Sequence, residues 1–143
     1  MKNKIESFED LKCWKACREV RKCVMLLIKK FPQEEKYALV DGMRRSSRST
    51  TENIAEGFGR YHYGENIQFC RISRGSLVEL EDQFIAALDD HYITEEEYKN
   101  GRQLIKTALA LLNGFINYLQ KAKSGKYQKE SNSLHEDYIE YGN

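Results

Sequence analysis

The sequence has a single proline, no Cys-x-x-Cys pair and no long apolar run. Since Pro32 is the only residue that cannot continue a helix, long uninterrupted helices are expected. Four cysteines without paired spacing argue against a disulfide framework and indicate a reducing compartment. No stretch of about eighteen apolar residues occurs, and the first residues contain no signal-peptide core. We therefore expect a cytoplasmic protein that has no membrane anchor.

The side chains of common catalytic and metal sites are also missing. A di-iron bundle needs Glu-x-x-His motifs, and none of the three histidines follows a glutamate at that spacing. Cys13 and Cys17, one helical turn apart, make half of a zinc site, but no second pair stands at ligand spacing. No pattern places a base beside a nucleophile. We therefore predict no enzymatic activity, no metal and no cofactor.

Four segments repeat apolar residues every three or four positions, which predicts amphipathic helices. They cover about residues 9–30, 35–56, 65–90 and 94–123. Ser7 is a candidate N-cap, and Thr94 with Glu97 has the pattern of a capping box. Short connections between such helices predict one all-α domain, an antiparallel up-down-up-down four-helix bundle over residues 1–123. A flexible polar tail is expected over residues 124–143.

Small residues mark places where the predicted helices end or approach one another. Gly57 and Gly59 are predicted to take the left-handed backbone that ends a helix. The run SSRSTT at 46–51 is a poor helix former in isolation, because its hydroxyls compete for backbone hydrogen bonds. We expect its small side chains to let a neighbouring helix come close. Gly75 and Ser76 of the third helix are placed to face that run.

The connection between the second and third helices presents Arg60, Tyr61, His62 and Tyr63 at its tip. A glycine loop that grips a nucleotide phosphate usually follows a strand, and no strand is predicted before this connection. The tyrosines beside Arg60 either stack on an unpaired base or cap the end of the bundle core. We therefore predict that this turn has a structural role first and serves as a contact surface second.

Trp14 falls on the buried stripe of the first helix, whereas two other helices carry more apolar surface than a bundle core needs. At 100° per residue, the additional apolar side chains lie on a flank of the third helix and on a flank of the fourth. This second stripe predicts a subunit interface, and a wide inner face in a short bundle stays open as the alternative. The predicted interface residues are Val78, Ile85, Leu104, Leu111 and Tyr118.

The net charge of +1 hides an uneven distribution. Residues 1–60 carry 14 Lys or Arg against 9 Asp or Glu, so an anionic partner is expected to dock on the first half. Arginine forks suit phosphates, which predicts nucleic-acid binding. Asp41 precedes Arg45 by four and Glu52 follows Arg48 by four, so a surface ion-pair lattice stays open. The predicted nucleic-acid-binding residues are Arg44, Arg45, Arg48, Arg60, Arg71 and Arg74.

Three stretches carry a family resemblance: FEDLKCWKAC at 8–17, FPQEEKYALVDGMRRSSRSTTENIAEGFGR at 31–60 and RISRGSLVELEDQ at 71–83. They resemble the four-helix-bundle proteins encoded by intervening sequences in bacterial 23S rRNA genes, over roughly residues 8–120. The resemblance implies a homopentameric ring of four-helix bundles with no known enzymatic activity, in agreement with the extra apolar stripes. The number five comes from the resemblance alone.

A related branch, the accessory variability determinants of diversity-generating retroelements, shares this bundle. The resemblance to it implies nucleic-acid binding through basic surfaces and a reverse transcriptase as partner. The basic positions that match are Arg44, Arg45, Arg60 and Arg74. Arg48 and Arg71 are additions of this chain, and His62 and Tyr63 stand where small polar residues are common. The sequence thus predicts an oligomer that binds structured RNA or DNA, with a structural or protein-binding oligomer as the alternative.

Overall fold

Four long helices make up most of residues 5–125, the part of the chain that this computed structural model describes. We name them α1 (Lys12–Leu27), α2 (Leu39–Phe58), α3 (Tyr63–Asp89) and α4 (Glu95–Lys123). Short 3-10 helices span Phe8–Asp10, Ile28–Lys30 and Gln33–Glu35. The described residues contain no strand, which confirms the all-α prediction. Most of the predicted polar tail, residues 126–143, lies outside the described residues.

The helices pack so that each of them contacts two others, and their apolar stripes meet in one core. Both α1 and α3 lie against α2 and against α4. Every helix contributes large side chains that are fully buried, as the spacing of apolar residues by three and four requires. Among them are Val20 of α1, Met43 of α2, Phe84 of α3 and Phe115 of α4.

The contact between α2 and α3 is built from short hydroxyl side chains. Ser73 Oγ of α3 donates a hydrogen bond to the Thr50 carbonyl oxygen of α2 at 2.7 Å. The hydroxyls of Ser49 and Ser76 lie 2.7 Å apart across the same contact. Asn53 Nδ2 supports this pair by donating to the Ser49 hydroxyl at 2.9 Å. We call this contact the hydroxyl seam, and it confirms that the small residues at 46–51 allow a close approach.

The glycines differ from the prediction in their backbone conformation and in the surfaces that they face. Gly57 lies inside α2 and Gly59 has φ −72°, so neither adopts a left-handed backbone and that prediction is wrong. Gly57 instead permits close packing, since a methyl group there would lie 2.6 Å from Asn66 Oδ1 of α3. Gly75 does not face the seam, because a methyl group there would meet nothing within 4 Å. Ser76 alone fulfils that prediction.

The helix boundaries show where local polar contacts interrupt a periodic pattern. Ser7 is an N-cap as predicted, but it caps the short helix Phe8–Asp10, whose Asp10 side chain completes a capping box. Leu11 then has an extended backbone, so the predicted helix from residue 9 to residue 30 is broken before α1 begins. The second helix begins later than predicted, at Leu39, whose N–H donates to a carboxylate oxygen of Glu35 at 3.1 Å.

Two aromatic residues have a burial that the helical spacing did not predict. Trp14 is half-buried instead of buried, and its ring lies edge-on to that of Phe8 with 5.3 Å between ring centroids. Tyr118 has no exposed surface, and its ring stacks on that of Phe115. Because its side chain is enclosed within a single chain, Tyr118 belongs to the core and cannot contact a second subunit. The prediction that Tyr118 is an interface residue is therefore wrong.

The first turn of α4 carries the predicted capping box. Thr94 Oγ1 accepts a hydrogen bond from the Glu97 N–H at 3.1 Å, and Glu97 Oε1 accepts one from the Thr94 N–H at 2.9 Å. Glu97 also forms an ion pair with Lys30, which follows α1. The Lys30 ammonium group, together with the Thr94 N–H, lowers the pKa of Glu97 below its ordinary value of 4.5. One carboxylate therefore caps α4 and ties it to the end of α1.

Replacing Gly101 should destabilise the bundle, whereas the same change at Gly75 should not. A methyl group at Gly101 would lie 2.1 Å from Cε1 of the fully buried Phe84. We expect Gly101→Ala to lower the free energy of unfolding by about 1–3 kcal/mol through overpacking. Gly75→Ala should raise it by up to about 1 kcal/mol, since alanine favours helix and the site is open. Urea denaturation of both variants measures the difference, and equal effects would contradict the close packing of α4 on Phe84.

Acid should weaken the bundle partly through Glu97. Because folding lowers the pKa of this carboxyl from 4.5, its stabilisation is present above that pH and is lost as the pH falls through the folded value. Glu97→Gln keeps a capping oxygen but removes the ion pair, so we expect a loss of about 0.2–1 kcal/mol at pH 7. Its stability should then fall less steeply than that of the wild type below pH 4.5. Glu96→Gln, an exposed neighbour, is the control, and a Glu97→Gln profile parallel to the wild type would contradict this linkage.

Candidate nucleic-acid interface

Arg44 and Arg48 lie on the flank of α2 that faces α1. The spacing of Arg44, Arg48 and Thr51 by four and by three residues puts their side chains on one flank of the helix. Arg21 Nη1 of α1 donates to the Thr51 hydroxyl at 2.8 Å, which places this flank beside α1. Arg48 is exposed and Arg44 is half-buried. Neither forms an ion pair with another residue in the range 5–125.

Two arginines of α1 extend this surface. Arg21 is half-buried and held by Thr51, and Arg18 precedes it by three residues on the same side of α1. The Arg18 guanidinium lies over the Trp14 ring, 5.8 Å from its centroid. Contacts to neutral partners orient both guanidinium groups without neutralising their charge. We call the four residues Arg18, Arg21, Arg44 and Arg48 the basic strip.

Two of the predicted binding residues are instead neutralised by carboxylates. Arg45 Nε lies 3.1 Å from the Asp41 carboxylate, one turn earlier on α2. Arg60 lies at the end of α2, where its guanidinium is 2.8 Å from the Glu56 carboxylate and 3.5 Å from that of Glu65. It also covers the Phe69 ring at 5.2 Å. The ion-pair lattice therefore exists at these two positions, and Arg60 links α2 to the start of α3.

Arg71 and Arg74 lie on another face of the molecule. Arg74 Nη1 donates to Asn113 Oδ1 of α4 at 3.0 Å, so its flank of α3 faces α4. Arg71 is exposed and precedes it by three residues, on the same flank. The six predicted arginines thus divide among the α1 side of α2, its outer face and end, and the α4 side of α3. They do not form one continuous site.

Sequence reasoning located the basic excess in the first half of the chain but assigned no residue of α1 to the site. This helix has five basic residues and one acid, Glu19, whose carboxylate is 3.6 Å from the Lys22 ammonium. Lys12, Lys15, Arg18 and Lys22 recur at intervals of three, three and four, so they occupy the face opposite the apolar stripe, and all four are exposed. That spacing was the available signal. The contact that joins α1 to Arg48, between Arg21 and Thr51, spans thirty residues and has no local signal.

The two tyrosines of the turn between α2 and α3 have different environments. Tyr61 is 99% exposed, so it does not cap the core. Tyr63 is half-buried and packs against the core from the first position of α3. The capping prediction therefore holds for Tyr63 only. Tyr61 and the exposed His62 remain as surface groups at the tip of the turn.

The buried thiols are unreactive at neutral pH. Burial raises the pKa of Cys17 and of Cys70 to about 12, and it raises that of Cys13 well above its ordinary value. These thiols therefore stay protonated at neutral pH, and thiolate is the form that attacks electrophiles and binds metals. In residues 5–125, no group of three or more His, Cys, Asp or Glu side chains is arranged to hold a metal ion.

Comparison with known proteins gives one family. A family model described as 23S rRNA-intervening sequence protein matches residues 9–114. The matched range contains α1, α2, α3 and the greater part of α4, together with the basic strip. No curated protein matches the sequence. Within the described residues, none of the helices combines the length and the apolar composition of a bilayer-spanning segment.

Proposed function

The chain belongs to the 23S rRNA-intervening sequence protein family, and from that premise we propose that it is a non-enzymatic, cytoplasmic homo-oligomer that binds structured RNA or DNA through arginines. In this proposal α1 to α4 run up, down, up and down, and copies of the bundle close into a ring. Five copies is the number that the family resemblance implies. The arginines of the basic strip hold phosphates, and no cofactor takes part.

The basic strip is the observation that supports nucleic-acid binding best. Arg21, Arg44 and Arg48 lie at the contact between α1 and α2, and Arg18 lies three residues before Arg21 toward the outer side of α1. None of the four is paired with a carboxylate in the described range. Free guanidinium groups in a row match phosphates along a strand, because each fork donates two parallel hydrogen bonds. Arg45 and Arg60 are weaker candidates, since a phosphate must displace Asp41, Glu56 or Glu65 to reach them.

Apolar side chains on two different faces support assembly, and of these only the pair on α3 is exposed. Val78 is 52% and Ile85 is 40% exposed. They flank Glu81, which accepts from Arg102 of α4 at 2.8 Å, so both lie on the α4 side of α3. Leu111 of α4 is half-buried, packs against the core and lies on the side of α4 that faces α1. When two different faces of one chain meet, the contact is heterologous, and such contacts close into rings when the rotation allows it. Leu104, one heptad before Leu111, extends the second face.

A protein-binding adaptor is the second candidate, and exposed apolar residues away from these faces favour it. Leu26 of α1 is 68% exposed and Ile72 of α3 is 52% exposed. Ile72 lies on the α2 side of α3, because its carbonyl accepts from Ser76, which belongs to the hydroxyl seam. A partner protein that covers Ile72 would not compete with the basic strip.

Salt titration of binding to RNA and DNA tests the first function. Each phosphate contact contributes a slope of about −0.9 to log K against log[salt] on duplex DNA. We expect Arg44→Gln with Arg48→Gln to weaken binding across sequences and to flatten that slope by about 2. The matched control is Arg45→Gln with Arg60→Gln, which removes the same charge from paired positions and should change the slope less. No binding by the wild type at low salt would reject nucleic-acid binding in favour of the adaptor.

Light scattering tests the assembly. The wild type should be a closed oligomer at micromolar concentration, because the apolar flank of α3 is otherwise left in water. Val78→Glu with Ile85→Glu should dissociate it by placing charges in an apolar contact. Ile72→Glu is the control on the opposite flank of α3, and it should leave the mass unchanged. A monomeric wild type, or equal dissociation by Ile72→Glu, would contradict the proposed interface.

A further inference from the structure

A shallow depression of about 720 Å³ lies over the outer side of α1. Four of its lining residues are the bases Lys12, Lys15, Arg18 and Arg21, against two glutamates. The half-buried ring of Trp14 and the side chain of Leu111 supply its apolar surface. It therefore combines positive charge with exposed apolar and aromatic area, which suits an acidic segment that also carries apolar side chains. We call it the α1 depression.

Such a segment exists in the same chain, outside the described residues. Residues 134–141 read LHEDYIEY, with the carboxylates of Glu136, Asp137 and Glu140 and no lysine or arginine. Two tyrosines, a leucine and an isoleucine accompany them. The charge of this segment is opposite to that of the depression, and its apolar residues match the Trp14 and Leu111 surface. The charged residues and the apolar residues of the segment therefore both match those that line the depression.

The connection to α4 is long enough to bring the two together. Leu111 borders the α1 depression, and α4 ends at Lys123, twelve residues later. A helix rises about 1.5 Å per residue, so the depression lies about 18 Å from the end of α4 along the helix. The twelve residues 124–135 span at most about 40 Å when extended. The segment therefore reaches the depression with chain to spare.

We propose that residues 134–141 dock in the α1 depression of their own chain and cover Arg18 and Arg21. Three carboxylates meet Lys12, Lys15 and the two arginines, and the apolar side chains contact Trp14. Arg18 and Arg21 also belong to the basic strip, so the docked segment competes with phosphates for half of it. The docking itself does not depend on the proposed function, whereas the competition rests on it.

Attachment to α4 makes this competition effective. A segment held on a short connection experiences a millimolar effective concentration of its own site, so weak contacts suffice to occupy it. The contacts are ionic and partly exposed, and salt therefore weakens them. Nucleic acid that presents many phosphates displaces the segment, whereas isolated anions do not. The acidic segment thereby restricts binding to partners that contact the whole strip.

Trp14 is the only tryptophan in the chain, so its fluorescence reports on this depression directly. The test compares acrylamide quenching in three full-length proteins without nucleic acid. The tail variant carries Glu136→Gln, Asp137→Asn and Glu140→Gln. The control carries Glu79→Gln, Asp82→Asn and Asp89→Asn, which remove the same charge from exposed positions of α3. We expect quenching to rise in the tail variant only, and the wild-type value to be independent of protein concentration.

Equal quenching in all three proteins would overturn the docking, including the case in which another subunit covers Trp14. A reciprocal exchange gives a second measurement: Lys12→Glu with Lys15→Glu should raise quenching, and adding Glu136→Lys with Asp137→Lys should restore protection. If restoration fails, the segment does not occupy the depression.

Affinity for RNA or DNA separates this inference from the proposed function. We expect the tail variant to bind at least about threefold more tightly than the α3 control, the factor that corresponds to three exposed ion pairs at the weak end of their range. Increased quenching without any nucleic-acid binding leaves the docking intact and rejects the proposed function. Nucleic-acid binding with unchanged quenching supports the proposed function and rejects the docking.

Discussion

The hydroxyl seam between α2 and α3 is the contact on which the rest of the arrangement depends. Buried hydroxyls are costly unless they are hydrogen-bonded, so the bonds of Ser73 to Thr50 and of Ser49 to Ser76 favour the observed rotation of α2 against α3. That rotation turns Arg44 and Arg48 toward α1. An apolar seam of equal size would be less selective, because dispersion contacts tolerate small rotations that hydrogen bonds do not.

The fold was largely predictable because helix periodicity reports on burial directly. The four helices and the capping box at Thr94 are confirmed within a few residues. Tyr118 shows the limit: it falls on a flank of α4 by spacing, yet it is fully buried. A periodic pattern gives the face on which a residue lies, but not what covers that face at each level of the helix. The prediction for Gly57 is wrong for a related reason. A glycine is needed there because Asn66 packs against it, and Asn66 is on another helix, α3.

The candidate site was predictable only where its contacts are local. The pairing of Arg45 with Asp41 has the four-residue spacing that a sequence reveals, and it is confirmed. The equivalent spacing of Arg48 and Glu52 gives no ion pair in the described residues, so spacing permits a pair without forcing it. What joins Arg48 to α1 is the bond of Arg21 to Thr51, which depends on how two helices pack. Sequence analysis therefore found the α2 half of the strip and missed the α1 half.

The near-neutral net charge of +1 is consistent with a localised basic surface, because partners respond to the local field and not to the total. Residues 1–60 carry five more basic than acidic groups, and the rest of the chain offsets nearly all of that excess. Among the acidic residues of that count, Asp41 and Glu56 pair with Arg45 and Arg60. Within residues 5–125, the four guanidinium groups of the basic strip have no carboxylate partner, and contacts with Thr51 and Trp14 hold Arg21 and Arg18 in place. A uniformly basic surface would attract any polyanion, whereas a strip bounded by acids favours a ligand whose phosphates follow its line.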